Sequence, residues 1–422
     1  MNETAPKGFR LHIGIFGRRN AGKSTLLNTV TRQGISIVSS VAGTTTDPVE
    51  KPMELLPIGP VLFIDTAGID DVGALGELRT AKTRQVFDRV DIALLVLDLS
   101  RSLAGEKVWD AFEEYLFEEF SDRRVPLLAV LGKADLAPPS AELTEFLSGR
   151  KIPFTVMAAP ASAASDGRPA EGVGALREKL VALLPEDFIR PRPIVSDLLP
   201  AGGMAVLVTP IDKEAPKGRL IMPQVQTLRD ILDAGCSSVV TQVESLASVL
   251  ARLREPPALV ITDSQVFREV DAIVPPEIPL TSFSVLFARQ KGDLAAMKKG
   301  AETLDAMRPD ARILIAEACS HHPITEDIGT EKIPKLLRAQ LGAGIEIGHV
   351  QGHQFPESDE ELAGWDLVIH CGACVWNRRE MLRRIARCDA AGVPITNYGL
   401  VLARLSGILS RALTPFESHT ER

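Results

Sequence analysis

Short apolar, β-rich runs recur through the first 185 residues, at Leu11 to Phe16, Val61 to Ile64, Ile92 to Leu97, Leu127 to Leu131 and Phe154 to Val156, with helical stretches between them. That alternation is the βαβ rhythm of a mainly parallel, doubly wound sheet. Leu55 and Leu56, followed by the turn-forming Pro57-Ile58-Gly59-Pro60, predict one antiparallel edge hairpin, and Leu176 to Leu184 reads as a closing helix. Three prolines between Pro185 and Pro193 cannot continue a helix, which puts a domain boundary near 190.

A second α/β pattern follows, with strands at Ala205 to Val208 and Leu259 to Thr262 and a helix at Gln224 to Leu232. Pro275-Pro276 and Pro279 punctuate the chain again, and Leu280 to Phe287, Ala311 to Ala316 and Asp366 to Ile369 predict a third strand set. The expected organisation is α/β throughout, with a large N-terminal domain over residues 1–187 and two smaller ones over 188–265 and 266–422. A unit as small as the middle one gains stability by packing on a partner, so self-association as a homodimer is expected there. The tail after Leu413 is expected to fray.

With 45% hydrophobic and 24% charged residues the chain can bury a substantial core, and wholesale disorder is excluded. A net charge of −8 argues against a general polyphosphate-binding surface, so nucleic acid is not an expected partner. No apolar run approaches the roughly 18 residues of a membrane span. Met1 to Gly14 lacks a signal-peptide core, and five cysteines in 422 residues are no secreted disulfide framework. The cytoplasm is the expected compartment.

The candidate chemistry begins directly after the first strand. Gly17-Arg18-Arg19-Asn20-Ala21-Gly22-Lys23-Ser24 fits G-x-x-x-x-G-K-[ST], with helical Thr25 to Val30 behind it. Gly17 and Gly22 let backbone N–H groups close around phosphate oxygens, Lys23 places positive charge on the β/γ-phosphates, and the Ser24 hydroxyl ligates Mg²⁺. Asp65-Thr66-Ala67-Gly68 ends the next strand, where the carboxylate can hold Mg²⁺ through water and the Gly68 amide can meet the γ-phosphate. Between them, Gly43-Thr44-Thr45-Thr46-Asp47 suits a loop whose threonine completes the metal shell.

Together these residues describe a P-loop switch GTPase and resemble the TrmE–Era-type GTPases. The resemblance implies that Thr45 is the metal-binding threonine, that Ala21 and Thr25 line the phosphates, and that Asn20 binds K⁺. The family's Asn-Lys-x-Asp appears as Gly132-Lys133-Ala134-Asp135, without the asparagine. Asp135 can still accept from the guanine N1–H and 2-amino group while Lys133 lies along the base plane. The last base loop is placed at Ala158-Ala159 or Ser162-Ala163. Ile69 stands where Ras-like enzymes carry a water-positioning glutamine, so hydrolysis is expected to be slow.

The second constellation is soft. Cys319-Ser320-His321-His322 and His370-Cys371-Gly372-Ala373-Cys374 each follow an apolar strand, and open α/β sheets collect ligands at the carboxyl ends of their strands. Three thiolates with nearby imidazoles suit either a tetrahedral zinc or an iron–sulfur cluster with a weaker fourth ligand. A redox dithiol accounts for Cys371-x-x-Cys374 alone. Cys236 and Cys388 lack ligand-spaced neighbours and read as core residues. His349 and His353 read as solvated loop residues. Arg378, Arg379, Arg383, Arg384 and Arg387 read as a solvated helix face, the lesser alternative being a docking site for an acidic partner.

A P-loop GTPase followed by Cys-x-His and then His-Cys-x-x-Cys resembles the HydF family of FeFe-hydrogenase maturation GTPases over essentially the whole chain. The resemblance implies a GTPase domain, a central dimerisation domain and a C-terminal domain in which Cys319, Cys371 and Cys374 hold a [4Fe–4S] cluster. His321, His322 or His370 would supply the fourth position, or an exchangeable ligand would. It also implies a carrier role, receiving a diiron precursor assembled with two radical-SAM maturases and delivering it to apo FeFe-hydrogenase. The alternative is a TrmE–Era-type GTPase with a structural zinc domain in ribosome or tRNA biology.

Overall fold

Strand β1 (Leu11–Gly17) is buried along its whole length, because β-rich apolar residues here meet side chains on both faces of a sheet. The computed structural model describes residues 5–32, 49–66, 81–158, 172–210, 220–318 and 327–417. Strands β2 (Val49–Leu55), β3 (Gly59–Asp65), β4 (Ile92–Asp98), β5 (Leu127–Gly132) and β6 (Phe154–Val156) complete the first sheet, in the order β2-β3-β1-β4-β5-β6. All neighbours are parallel except β2 with β3, the hairpin that the sequence places at one edge. The chain passes from β1 to β2 and β3 on one side and then crosses from β3 to β4 on the other, so the crevice at the carboxyl end of β1 is the topological switch point of an open α/β sheet. Gly17, Asp65, Asp98 and Gly132 all end strands at that side.

Helices cover both faces. On one, Phe16, Phe87 and Phe120 meet with ring centroids 4.8–5.4 Å apart. These tilted and edge-on contacts add about 0.5–1.5 kcal/mol per pair beyond simple burial. They seat the Ala111–Asp122 helix against β1. That helix starts at a reciprocal cap: the Asp110 carboxylate accepts the Phe112 N–H, and the Glu113 carboxylate accepts the Asp110 N–H.

The chain divides after Pro191 into two compact units, at the proline-rich linker. Within the second unit, β7 (Met204–Val208), β8 (Ser237–Thr241), β9 (Leu259–Thr262) and β10 (Leu280–Ser282) form one parallel sheet, ordered β10-β9-β7-β8. A second parallel sheet comprises β11 (Arg312–Glu317), β12 (Glu346–Gln351), β13 (Leu367–His370) and β14 (Ile395–Asn397), ordered β12-β11-β13-β14.

Two expectations need correction. Leu280 to Phe287 does not begin the last strand set: Leu280–Ser282 pairs with β9, and Phe283 opens a helix running to Lys291. The prolines before it do not separate two cores, because the Val260 N–H bonds the Pro279 carbonyl and one apolar cluster runs from Val206 and Val260 through Leu314 to Val368. The break expected at 265/266 therefore falls inside the second unit. The C-terminal Leu409–Glu417 helix is packed down, with Thr281 Oγ1 donating to the Ala412 carbonyl at 2.8 Å. Among the described residues, no helix is long and apolar enough to cross a membrane.

Candidate functional site

The glycines of the P-loop are dictated by space and by backbone angle. Gly17 has φ +141°, and a Cβ there would lie 2.4 Å from the Val96 carbonyl oxygen of β4. Gly22 has φ +102°, and Asn20, a residue that tolerates the left-handed region, has φ +61°. The turn thus leads into the Lys23–Arg32 helix with its N-terminal amides facing the crevice, an arrangement suited to phosphate. Lys23 is 5% exposed, and its ammonium donates to the Gly17 carbonyl at 2.7 Å and the Arg18 carbonyl at 3.0 Å, which holds the charge inside the loop. Ala21 is buried, whereas Asn20, Ser24 and Thr25 are exposed at its mouth. Ser24 Oγ donates to Asp65 Oδ2 at 3.2 Å, so the hydroxyl and carboxylate expected to hold Mg²⁺ already converge. Thr66, next along, is fully buried and donates to the Ile15 carbonyl at 2.6 Å.

Two contacts around this crevice were not read from the sequence, one holding the P-loop and one holding the loop after β5. Arg18 forks onto the carboxylates of Asp110 and Glu113 and lies over the Phe112 ring, 4.8 Å from its centroid, which ties the loop to the capped helix start. Lys133, at the carboxyl end of β5, donates to Asp98 Oδ2 at 2.6 Å. Burial would raise the Asp98 carboxyl, but bonds from Lys133 and from Ser100 outweigh it and hold the group below its usual range. Asp135 is exposed two residues on. Thr45, Gly68, Ile69 and the Ala159 and Ser162-Ala163 candidates lie outside the described residues, while Ala158 lies just within them.

In the second unit, β13 ends at His370 and the chain turns through Cys371-Gly372-Ala373-Cys374 before Asn377 caps the Arg378–Ala390 helix. Ala373 sits at φ +49°, a left-handed angle that is uncommon outside glycine, asparagine and aspartate. Both thiols are half-buried. Burial pushes the Cys371 thiol up, while its sulfur accepts the Ala318 N–H at 3.0 Å. Ala318 is the last described residue before Cys319; His321 and His322, like Cys319, lie outside the described residues. Among the described residues no group of three or more ligating side chains is assembled. The donor set present, two reachable thiols on one turn with an amide aimed at one sulfur, suits a soft thiolate-bound metal centre.

His370 is fully buried, and burial together with the neighbouring Arg384 guanidinium brings its pKa down to about 3. Arg384 can only donate, so it donates to Nε2 at 3.1 Å, and Nδ1–H donates to the Cys371 carbonyl at 2.9 Å. Both ring nitrogens are engaged, which makes His370 a brace for the turn in this structure. Arg384 is no solvated residue: it is 5% exposed, lies 4.3 Å from the Trp376 ring centroid and 4.5 Å from that of Phe355, and donates to the Gly352 and Gln354 carbonyls. Arg378 and Arg387 likewise bond main-chain carbonyls, so the basic stretch is in large part internal structure. His353, read as a solvated loop residue, pairs with Glu380 at 2.6 Å and stacks on Trp376. Lys291, 2% exposed, donates to the Trp376 carbonyl at 2.9 Å. Cys236 and Cys388 are buried, and burial raises the Cys388 thiol to about 12.

Comparison with known proteins accounts for this order of parts. Residues 194–292 match the hydrogen maturase F dimerization domain, and residues 295–415 match the hydrogen maturase F tetramerization domain. Residues 12–133 match the domain described as a 50S ribosome-binding GTPase. The chain belongs to the HydF family. Its HydF dimerization match extends to residue 292 and so includes β10 and the helix carrying Lys291, in keeping with the pairing of β10 to β9.

The GTPase part is similar to other proteins as well. GTPase Der of Wolinella succinogenes is 40% identical over 139 residues, which are 32% of this chain and 27% of that protein. The tRNA modification GTPase MnmE of Desulfotalea psychrophila is 32% identical over 171 residues, 40% of this chain and 34% of the relative. The chain thus spans about a quarter to a third of the length of these curated relatives. Among solved structures, Aquifex aeolicus Era bound to GDP and AlF4⁻ is 17% identical with a TM-score of 0.31, covering 55% of this chain and 93% of that one. The G domain of the T. maritima FeoB iron transporter is 19% identical with a TM-score of 0.29, covering 41% and 98%.

Proposed function

We propose that this HydF-family chain is a GTP-hydrolysing scaffold that holds a [4Fe–4S] cluster and a diiron precursor and delivers the precursor to apo FeFe-hydrogenase. One observation carries the reading: the Ala318 amide reaches the Cys371 sulfur at 3.0 Å. The Cα of residue 319 is about 3.8 Å from that of Ala318, so Cys319 has the reach to join Cys371 and Cys374 as a third thiolate. The fourth position goes to His321, His322, His370 or an exchangeable ligand; for His370 to serve, a ring nitrogen would have to give up its bond to Arg384 or to the Cys371 carbonyl. A cluster so bound supplies an iron site open to exchange, which suits a protein that must both hold and release its cargo. The precursor comes from two radical-SAM maturases in the cytoplasm, and the chain works as a homodimer through its dimerization domain, without nucleic acid. The family-model matches over 194–415 favour this role over that of a ribosome or tRNA GTPase with a structural zinc.

In the first unit Gly17, Ala21, Gly22, Lys23 and Thr25 cradle the GTP phosphates, Ser24, Thr45 and Asp65 hold Mg²⁺, and Gly68 meets the γ-phosphate. Lys133 and Asp135 receive guanine. With Ile69 unable to orient water, turnover is slow, and K⁺ at Asn20 supplies positive charge where hydrolysis builds negative charge. Replacing Na⁺ by K⁺ should raise the rate, and equal rates in the two salts would remove that role for Asn20.

The cluster is tested by purifying the chain without oxygen, reconstituting it with iron and sulfide, and recording the visible spectrum and metal content. Brown protein with about four irons per chain is expected. Colourless protein with one tightly held zinc would overturn the cluster reading in favour of the structural-zinc alternative.

A further inference from the structure

Position 132 faces the P-loop without reaching it. A Cβ built on Gly132 would lie 3.4 Å from the Ala21 carbonyl oxygen, 3.5 Å from the Leu97 carbonyl oxygen and 3.6 Å from Val96 Cγ1, all ordinary contacts. Its φ is outside the left-handed region, so neither space nor backbone angle demands glycine there. The Ala21 carbonyl, one residue before Gly22, accepts no hydrogen bond from a described donor. The loop that follows β5 is thus not tied to the phosphate loop by any side chain at this point.

It is fastened instead to β4. Lys133 adopts φ +59°, a left-handed angle that a long side chain adopts only when its surroundings impose it. The surroundings are visible: its carbonyl accepts the Leu136 and Ala137 amides, the Ala134 amide reaches the Met157 carbonyl, and its ammonium is held by Asp98 at 2.6 Å. Asp98 sits opposite Gly132 in the β4–β5 register and is fixed by the Ser100 amide at 3.0 Å and hydroxyl at 2.6 Å. Its side chain is only 11% exposed, so this is a sheltered pair on a rigid acceptor and not a screened surface contact. The ammonium is thus anchored on β4, beside the crevice at the carboxyl end of the sheet.

We infer that the base-recognition loop is positioned through the Lys133–Asp98 pair in place of a side-chain tie to the P-loop, so that Asp98 is a positioning residue for guanine nucleotide and Gly132 sets how firmly the nucleotide is held. The inference rests on reading the first unit as a guanine-nucleotide site. With no side chain at position 132 to bridge to the Ala21 carbonyl, release of GDP from the wild-type chain is expected to be fast.

The test is the dissociation rate of a fluorescent N-methylanthraniloyl GDP from the full chain, with the KM for GTP measured alongside. Asp98→Asn keeps an acceptor for Ser100 and removes the charge under Lys133; it is expected to speed release about tenfold and raise KM by a similar factor. Gly132→Asn adds an N–H donor beside the Ala21 carbonyl and should slow release about tenfold. The double variant D98N/G132N should return close to the wild-type rate, a rescue that a general loss of folding would not show. Release unmoved in both Asp98→Asn and Gly132→Asn would overturn the inference while the nucleotide site stands. A wild-type chain that binds no guanine nucleotide would overturn both. Should Asp98→Asn not fold, Gly132→Asn decides alone.

Discussion

Lys23→Ala is expected to lower GTP affinity on the order of a hundredfold or more and bring hydrolysis below detection, with the fold retained. The ammonium is preorganised: it bridges the Gly17 and Arg18 carbonyls within the loop and is almost wholly withdrawn from water. A charged donor placed this way needs little rearrangement to bond phosphate oxygens, and each charge-assisted bond is worth about 1.5–3 kcal/mol. Two such bonds lost amount to about 3 kcal/mol at the lower bound, and each 1.4 kcal/mol is a factor of ten. Titration with a fluorescent GTP analogue and phosphate release at saturating GTP are the measurements. Wild-type affinity in the variant would mean that the loop's amides carry the phosphate alone, and the assignment of Lys23 would fail.

Cys371→Ala and Cys374→Ala are each expected to abolish the brown chromophore of the reconstituted chain while leaving GTP turnover largely intact. The two sulfurs lie on one turn in the second unit, and the P-loop lies in the first. Cys236→Ala and Cys388→Ala provide the contrast. Both of those thiols are buried, and neither has a ligand-spaced cysteine or histidine beside it in the chain. Iron content and the visible absorption of all four variants should therefore fall into two classes. Retention of the full spectrum in Cys371→Ala or Cys374→Ala would remove the turn from the site.

Much of the first unit was legible because its signals are local. A P-loop is a contiguous motif, and β1, β3, β4 and β5 are apolar runs long enough to distinguish from their surroundings. The strands that escaped notice lack that signature. β8 is a serine-led strand at a sheet edge, β12 alternates glutamate, glycine and histidine on another edge, and β14 is three residues long. The supports of the two sites were illegible for a different reason. An arginine at helical spacing reads as solvated unless its partners are known, and those of Arg384 come from β13, from the segment after β12 and from the cysteine turn. Asp98 carried only the weak hint of ending a strand. Lys291 carried none, since the carbonyl it serves lies 85 positions away.

That last bond belongs to a seam. Lys291 reaches the Trp376 carbonyl, Arg378 returns to the Gln290 and Gly292 carbonyls, and apolar side chains from both sheets share one cluster across the joint between the two HydF matches. Gene rearrangement can shuffle modules only where cutting leaves two closed surfaces. A cut near residue 293 would leave two open ones, with the buried Lys291 and the half-buried Arg378 stripped of their carbonyl partners. Neither C-terminal module can therefore be trimmed away without opening that shared apolar cluster to water.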